Sequence, residues 1–164
     1  MPRGYVKERE NMHAGEYKQN NFTPTVKAMN LFDYVDTITD NQNKFPEYKE
    51  TEKKNPDGSI TKVLIMRQDS LVNRVREQAY QIYMLLWTAN EINVTKEPER
   101  KAERLGKQAE AIRICGEHLA AIQLCRKRFH LTTKRIKHWG KMTIEVRDAA
   151  KGWHKSDKDR YKNI

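Results

Sequence analysis

Residues 118–144 of this chain contain no acidic residue, and the whole sequence has only two cysteines. No apolar run approaches the roughly 18 residues needed to span a bilayer. The opening MPRGYVKERENMHAGEYKQNN is charged and lacks an apolar stretch, which argues against a signal peptide or anchor and for a cytoplasmic protein. Cys115 and Cys125 fall on one predicted helix, where ten residues separate their Cα atoms by about 15 Å, too far for a disulfide. They read as reduced, buried thiols. Enzyme signatures are missing too: there is no Gly-rich phosphate loop, no Gly-x-Ser-x-Gly, no His-Glu-x-x-His and no CxxC pair. Cys115-x-x-His118 could be half of a zinc site, but Cys125 and His130 do not supply the other half at tetrahedral spacing. A buried cysteine beside a surface histidine is the expectation, with no metal and no cofactor. The predicted seams carry no carboxylate, which excludes a di-metal bundle of the Glu-x-x-His kind. The chemistry points away from catalysis.

What the chain has in excess is positive charge, +10 overall. Residues 1–94 hold 13 Lys and Arg against 13 Asp and Glu, so the excess lies in 95–164, with 19 against 9. A one-sided field of this kind attracts a polyanion, and nucleic acid is the commonest in a cytosol. A basic run is often only a solvated helix face, but 27 residues without an acid favour binding. The candidate contacts are Arg113, Arg126, Lys127, Arg128, Lys134, Arg135, Lys137 and Lys141. Arginine suits bidentate phosphate contacts and lysine point-charge contacts. No zinc finger, helix-turn-helix with a Gly turn or RNP-like aromatic motif is present, which leaves recognition of structured RNA by shape and charge. Trp87, Trp139 and Trp153 lie on or beside apolar faces and read as core, with base stacking as the rival role.

Periodicity predicts four helices. The first runs from 25 to about 43 through Met29, Leu31, Phe32, Val35 and Ile38, ended by Phe45-Pro46. The second, from about 68 to 93, places Leu71, Val75, Ile82, Leu85, Leu86, Ala89 and Ile92 on one face. Thr95 is the expected cap of the third, with Pro98 in its first turn. That helix runs to about Phe129 with a stripe of Leu105, Gln108, Ile112, Cys115, Leu119, Ile122 and Phe129. Arg126 falls on it where an apolar residue is due. Thr132 caps the fourth, whose seam is Ile136, Trp139, Thr143, Val146, Ala150 and Trp153, with Gly152 near its end. Between the first two helices, Asn55-Pro56-Asp57-Gly58 signals a turn and 61–65 a short strand, so a hairpin or loop is inserted at about 47–66. The expected organisation is a mobile polar arm over 1–24 and an all-α, antiparallel up-and-down four-helix bundle over 25–157. A charged tail over 158–164 follows.

Three stretches carry a resemblance: Asn43-Lys44-Phe45-Pro46, the helix pair entered through Arg104-Leu105, and Lys134-Arg135-Ile136-Lys137-His138-Trp139 leading to Ala149-Ala150-Lys151-Gly152-Trp153-His154-Lys155-Ser156. Together, over about 25–157, they resemble the accessory variability determinant family of diversity-generating retroelements. Those are four-helix bundles related to proteins encoded in intervening sequences of bacterial 23S ribosomal RNA genes. The resemblance implies a basic ring of five subunits that binds a reverse transcriptase and its template RNA, with cDNA as a further ligand, in mutagenic cDNA synthesis. The polymerase chemistry then belongs to the partner. The ribosomal relatives imply the alternative, a structural bundle of unknown role. The N-terminal arm and the 47–66 insertion exceed the family pattern and bear on the assembly.

Overall fold

The computed structural model describes residues 22–41, 44–46, 48–66 and 70–164. Most of the expected polar arm, and the expected start of the second helix near Gln68, lie outside the described residues. In chain order the elements are α1 (Thr23–Thr39), β1 (Tyr48–Lys54), β2 (Ile60–Met66), α2 (Leu71–Glu91), α3 (Pro98–Phe129) and α4 (Thr133–Arg160). The described structure is thus mainly helical, with one two-stranded antiparallel sheet.

Each helix end has a local cause. Pro24 opens α1, where a missing N–H costs nothing. The helix stops at Thr39, short of the expected 43, and Phe45 N–H donates to Asn41 O at 2.8 Å as the chain turns. That turn buries the Phe45 ring against Phe129 and Trp139, with centroids at 5.1 and 6.4 Å. Thr95 does not cap α3 as expected. It sits at φ 49°, and the cap position belongs to Glu97, with Pro98 opening the helix. The α3–α4 link is a left-handed residue, His130 at φ 53°, then Leu131 and Thr132. Thr132 Oγ1 accepts from Arg135 N–H at 3.3 Å. Thr132→Ala is therefore expected to remove about 1 kcal/mol, read as a fall of about 2–4 °C in thermal unfolding.

The helices pack α1 on α2, α2 on α3, α3 on α4, and α4 back on α1. Contacts at the two ends show how they run. Near one end, Arg76 of α2 donates to Thr39 Oγ1 of α1 at 2.8 Å, and Phe45 lies on Phe129. Near the other, Phe22 meets Trp153 at 4.8 Å, and Arg104 pairs with Asp157. The α1–α2 hairpin connection and the α3–α4 junction therefore share an end.

The core of α4 is the expected seam, with every one of its six residues buried. It does not stop at Gly152 or leave a tail from 158. The helix continues to Arg160 because Trp153 and Asp157 still pack inward. The stripe on α3 is rotated from the expected one. Leu105, Ile112 and Leu119 are only half-buried, whereas Arg104, Ala111, Ile114, His118, Ala121 and Cys125 are buried beside Gln108, Cys115, Ile122 and Phe129. Trp139 is wholly buried, Trp153 nearly so, and Trp87 is half-buried beside Tyr83.

Candidate nucleic-acid interface

Two helix ends build the basic surface. In the last turn of α3, Cys125 and Phe129 face the core, which turns Arg126, Lys127 and Arg128 outward. Cations there also complement the partial negative charge of the helix C-terminus. Arg126 is thus exposed and does not interrupt the seam, because the inward position belongs to Cys125. Across the three-residue link, the first turns of α4 bury Ile136 and Trp139 and expose Lys134, Lys137 and Lys141. Helical geometry at about 100° per residue sets these three lysines roughly opposite the Ile136/Trp139/Thr143 seam. Arg126 Nη2 lies 3.5 Å from Thr133 Oγ1, which joins the two groups across the link.

Arg135 stands at the flank, half-buried, near Tyr34 of α1. Burial raises the Tyr34 pKa, and the positive Arg135 opposes that rise. Among the described residues, none of Arg126, Lys127, Arg128, Lys134, Arg135, Lys137 and Lys141 forms an ion pair within 4.0 Å.

Arg113 stands apart from this group. It lies mid-α3, and its guanidinium bonds Glu110 at 3.2 Å and also Glu117. Carboxylates three residues before and four after share its helix face, so its charge is locally cancelled. Lys44, which charge counting along the C-terminal half does not reach, is exposed at this same end, because its neighbour Phe45 is anchored on Phe129. Only the Phe45-Pro46 turn in the sequence hints at that placement.

The Cys115/His118 pair lies in the core, and His118 is not the surface residue expected. Its Nε2 accepts from Trp139 Nε1–H at 3.0 Å and its Nδ1 bonds Gln78 Oε1 at 2.8 Å, so both nitrogens are engaged. Burial pushes the thiols of Cys115 and Cys125 up to about 12, against the weaker opposing pull of Arg147 and Arg128 respectively. Neither thiol is a ready nucleophile or ligand at neutral pH. Among the described residues no cluster of three His, Cys, Asp or Glu side chains could hold a metal.

A carboxylate does occupy a seam, contrary to expectation. Asp157 is fully buried, but it is paired. Arg104 donates to its two oxygens at 2.7 and 3.3 Å and Gln108 Nε2 donates at 2.6 Å. Elsewhere, an outer groove between α1 and α2 of about 260 Å³ is lined by Met29, Phe32, Asp33, Tyr80, Tyr83 and Met84. Among the described residues, no helix is long and apolar enough to cross a membrane.

Compared with protein-family models, curated proteins and solved structures, the chain matches none.

Proposed function

We propose that this chain is a cytoplasmic, non-catalytic accessory protein, an antiparallel up-and-down four-helix bundle that grips structured RNA at its α3–α4 end. On the resemblance described above, it serves a reverse transcriptase of a diversity-generating retroelement by binding both the polymerase and its template RNA. The observation that carries this reading is the cluster of seven cationic side chains around one short link, free of ion pairs among the described residues. The carboxylates that cancel Arg113 have no counterpart along residues 118–144, which contain no Asp or Glu. The Met- and Tyr-lined groove between α1 and α2 supports a protein partner or a further subunit, such as the five-membered ring the resemblance implies. Flexible methionines and amphipathic tyrosines suit such contacts.

Replacing Arg126, Lys127, Arg128, Lys134, Lys137 and Lys141 by glutamine tests the assignment. The wild-type log–log dependence of RNA affinity on salt should have a slope of about −4 to −5 if six phosphates are neutralised. The six-fold variant should lose about 10³ in affinity at low salt and most of that slope, with its helical circular dichroism unchanged. Arg113→Gln is the matched control and should leave affinity within about two-fold, since its charge already has partners. An unchanged slope in the six-fold variant removes the assignment. Co-purification with the reverse transcriptase tests the partner.

A further inference from the structure

The hairpin is the part of the described structure that RNA binding leaves without a task, and its two strands differ in character. β1 is charged at five of seven positions: Lys49, Glu50, Glu52, Lys53 and Lys54. β2, ITKVLIM, carries one charge, Lys62, which reaches back to Glu50 at 3.8 Å. Ile60, Leu64 and Ile65 are 62%, 70% and 51% exposed. Charged strands suit sheet edges and apolar strands suit central positions. Among the described residues, β2 nevertheless has a neighbour on one side only. A sheet of two strands is marginal alone, and three or more strands are needed for independent stability.

The free edge is defined by the ladder itself. Asn55 N–H donates to Ser59 O at 2.8 Å, which makes theirs a hydrogen-bonded pair in line with the register Lys54↔Ile60 to Tyr48↔Met66. Bonded pairs recur at every second residue, so Thr61, Val63 and Ile65 direct their backbone groups to β1. The N–H and C=O groups of Ile60, Lys62 and Leu64 therefore point outward, and among the described residues none has another backbone partner.

We infer that β2 pairs antiparallel with β2 of a second copy of this chain, about a two-fold axis through Val63. This makes a four-stranded sheet with the charged β1 strands outside. Centring the pair on Lys62 sets like charges directly opposite, which is destabilising. Centring it on Leu64 leaves Ile60 unpaired within the strand. The Val63 register pairs all seven residues of the strand, sets Val63 against itself and lays the aliphatic stem of Lys62 across Leu64. The joint is isologous and closes at two copies, exposing only charged edges, so it does not propagate. It stands independently of the RNA reading.

A full-length Val63→Cys variant tests the register directly. Opposed residues of a non-hydrogen-bonded pair have Cα atoms about 4.5 Å apart, within disulfide range. The native thiols are buried with pKa values of about 12 and do not compete. Mild oxidation should convert most of the variant to a covalent dimer on a non-reducing gel, while Ser59→Cys at the turn stays largely single. Leu64→Pro removes one outward N–H and no β1–β2 bond, a position where an edge strand tolerates proline. It should weaken self-association at least ten-fold by sedimentation while RNA affinity stays unchanged. Equal cross-linking of the two cysteine variants, or unaltered sedimentation of Leu64→Pro, overturns the joint.

Discussion

Asp157→Ala is expected to lower stability by about 3–5 kcal/mol, a fall of about 10 °C in Tm for a chain of this length. Asp157 has no exposure to solvent, and its carboxylate receives Arg104 Nε at 2.7 Å, Arg104 Nη2 at 3.3 Å and Gln108 Nε2 at 2.6 Å. The Arg104 guanidinium also lies over the rings of Trp153 and Tyr161, at 5.1 and 5.7 Å, and Nη1 donates to Ile92 O at 3.0 Å. Removing the carboxylate leaves a desolvated cation among rings and carbonyls. The loss comes mostly from that stranded charge and not from the worth of the pair. The double variant Arg104→Met with Asp157→Leu should therefore recover most of the lost stability, since hydrophobic replacements of buried pairs are often neutral. Thermal unfolding by circular dichroism checks both. A shift below about 2 °C in Asp157→Ala rejects the account.

The same network shows what a sequence pattern can and cannot reveal. α4 was legible because Ile136, Trp139, Thr143, Val146, Ala150 and Trp153 repeat at strict three- and four-residue steps and include the largest side chains of the core. The hairpin was legible from its turn, where Gly58 takes φ 87° and its N–H closes on Asn55 O at 2.9 Å. α3 was not. It packs on both α2 and α4, so its buried stripe is broad, and alanine, cysteine, histidine, glutamine and arginine fill much of it. Hydrophobicity ranks Leu105, Ile112 and Leu119 above these residues, although all three lie at the rim. Asp157, beyond the predicted seam that ends at Trp153, was not legible as core because its partner lies 53 residues away. No reading of one helix at a time can match a charge to a charge at that separation.

The candidate interface follows the same division. Freedom from acid along 118–144 was visible as composition. Its consequence, cations on both sides of one link with no carboxylate across the junction, depended on α3 and α4 turning Cys125, Phe129, Ile136 and Trp139 inward. Arg113 looked equivalent in composition, yet the helix repeat places Glu110 and Glu117 beside it.

His118 should make the fold acid-sensitive in a defined window. Trp139 Nε1–H donates to its Nε2, so the ring proton of the neutral imidazole sits on Nδ1 and donates to Gln78 Oε1. A second proton on Nε2 would face the indole N–H, with no acceptor available. Burial accordingly lowers the His118 pKa from 6.5 to about 4. Above pH 6.5 neither folded nor unfolded chain carries that proton, and the contribution to stability is complete. As pH falls from 6.5 to 4, the unfolded chain takes up the proton and the folded chain does not, so stability declines. Below about 4 both bind it and the decline from this group ends. At 1.36 kcal/mol per pKa unit, the loss across the window is about 3 kcal/mol. Carboxylates titrate in part of the same range, so the measurement is a difference. Urea unfolding of wild type and His118→Gln between pH 7 and 4 should give profiles that converge by about 3 kcal/mol as pH falls. The variant begins less stable at pH 7 because it loses the fitted imidazole between Trp139 and Gln78. Parallel profiles would mean that His118 is protonated in the folded chain as readily as in the unfolded one.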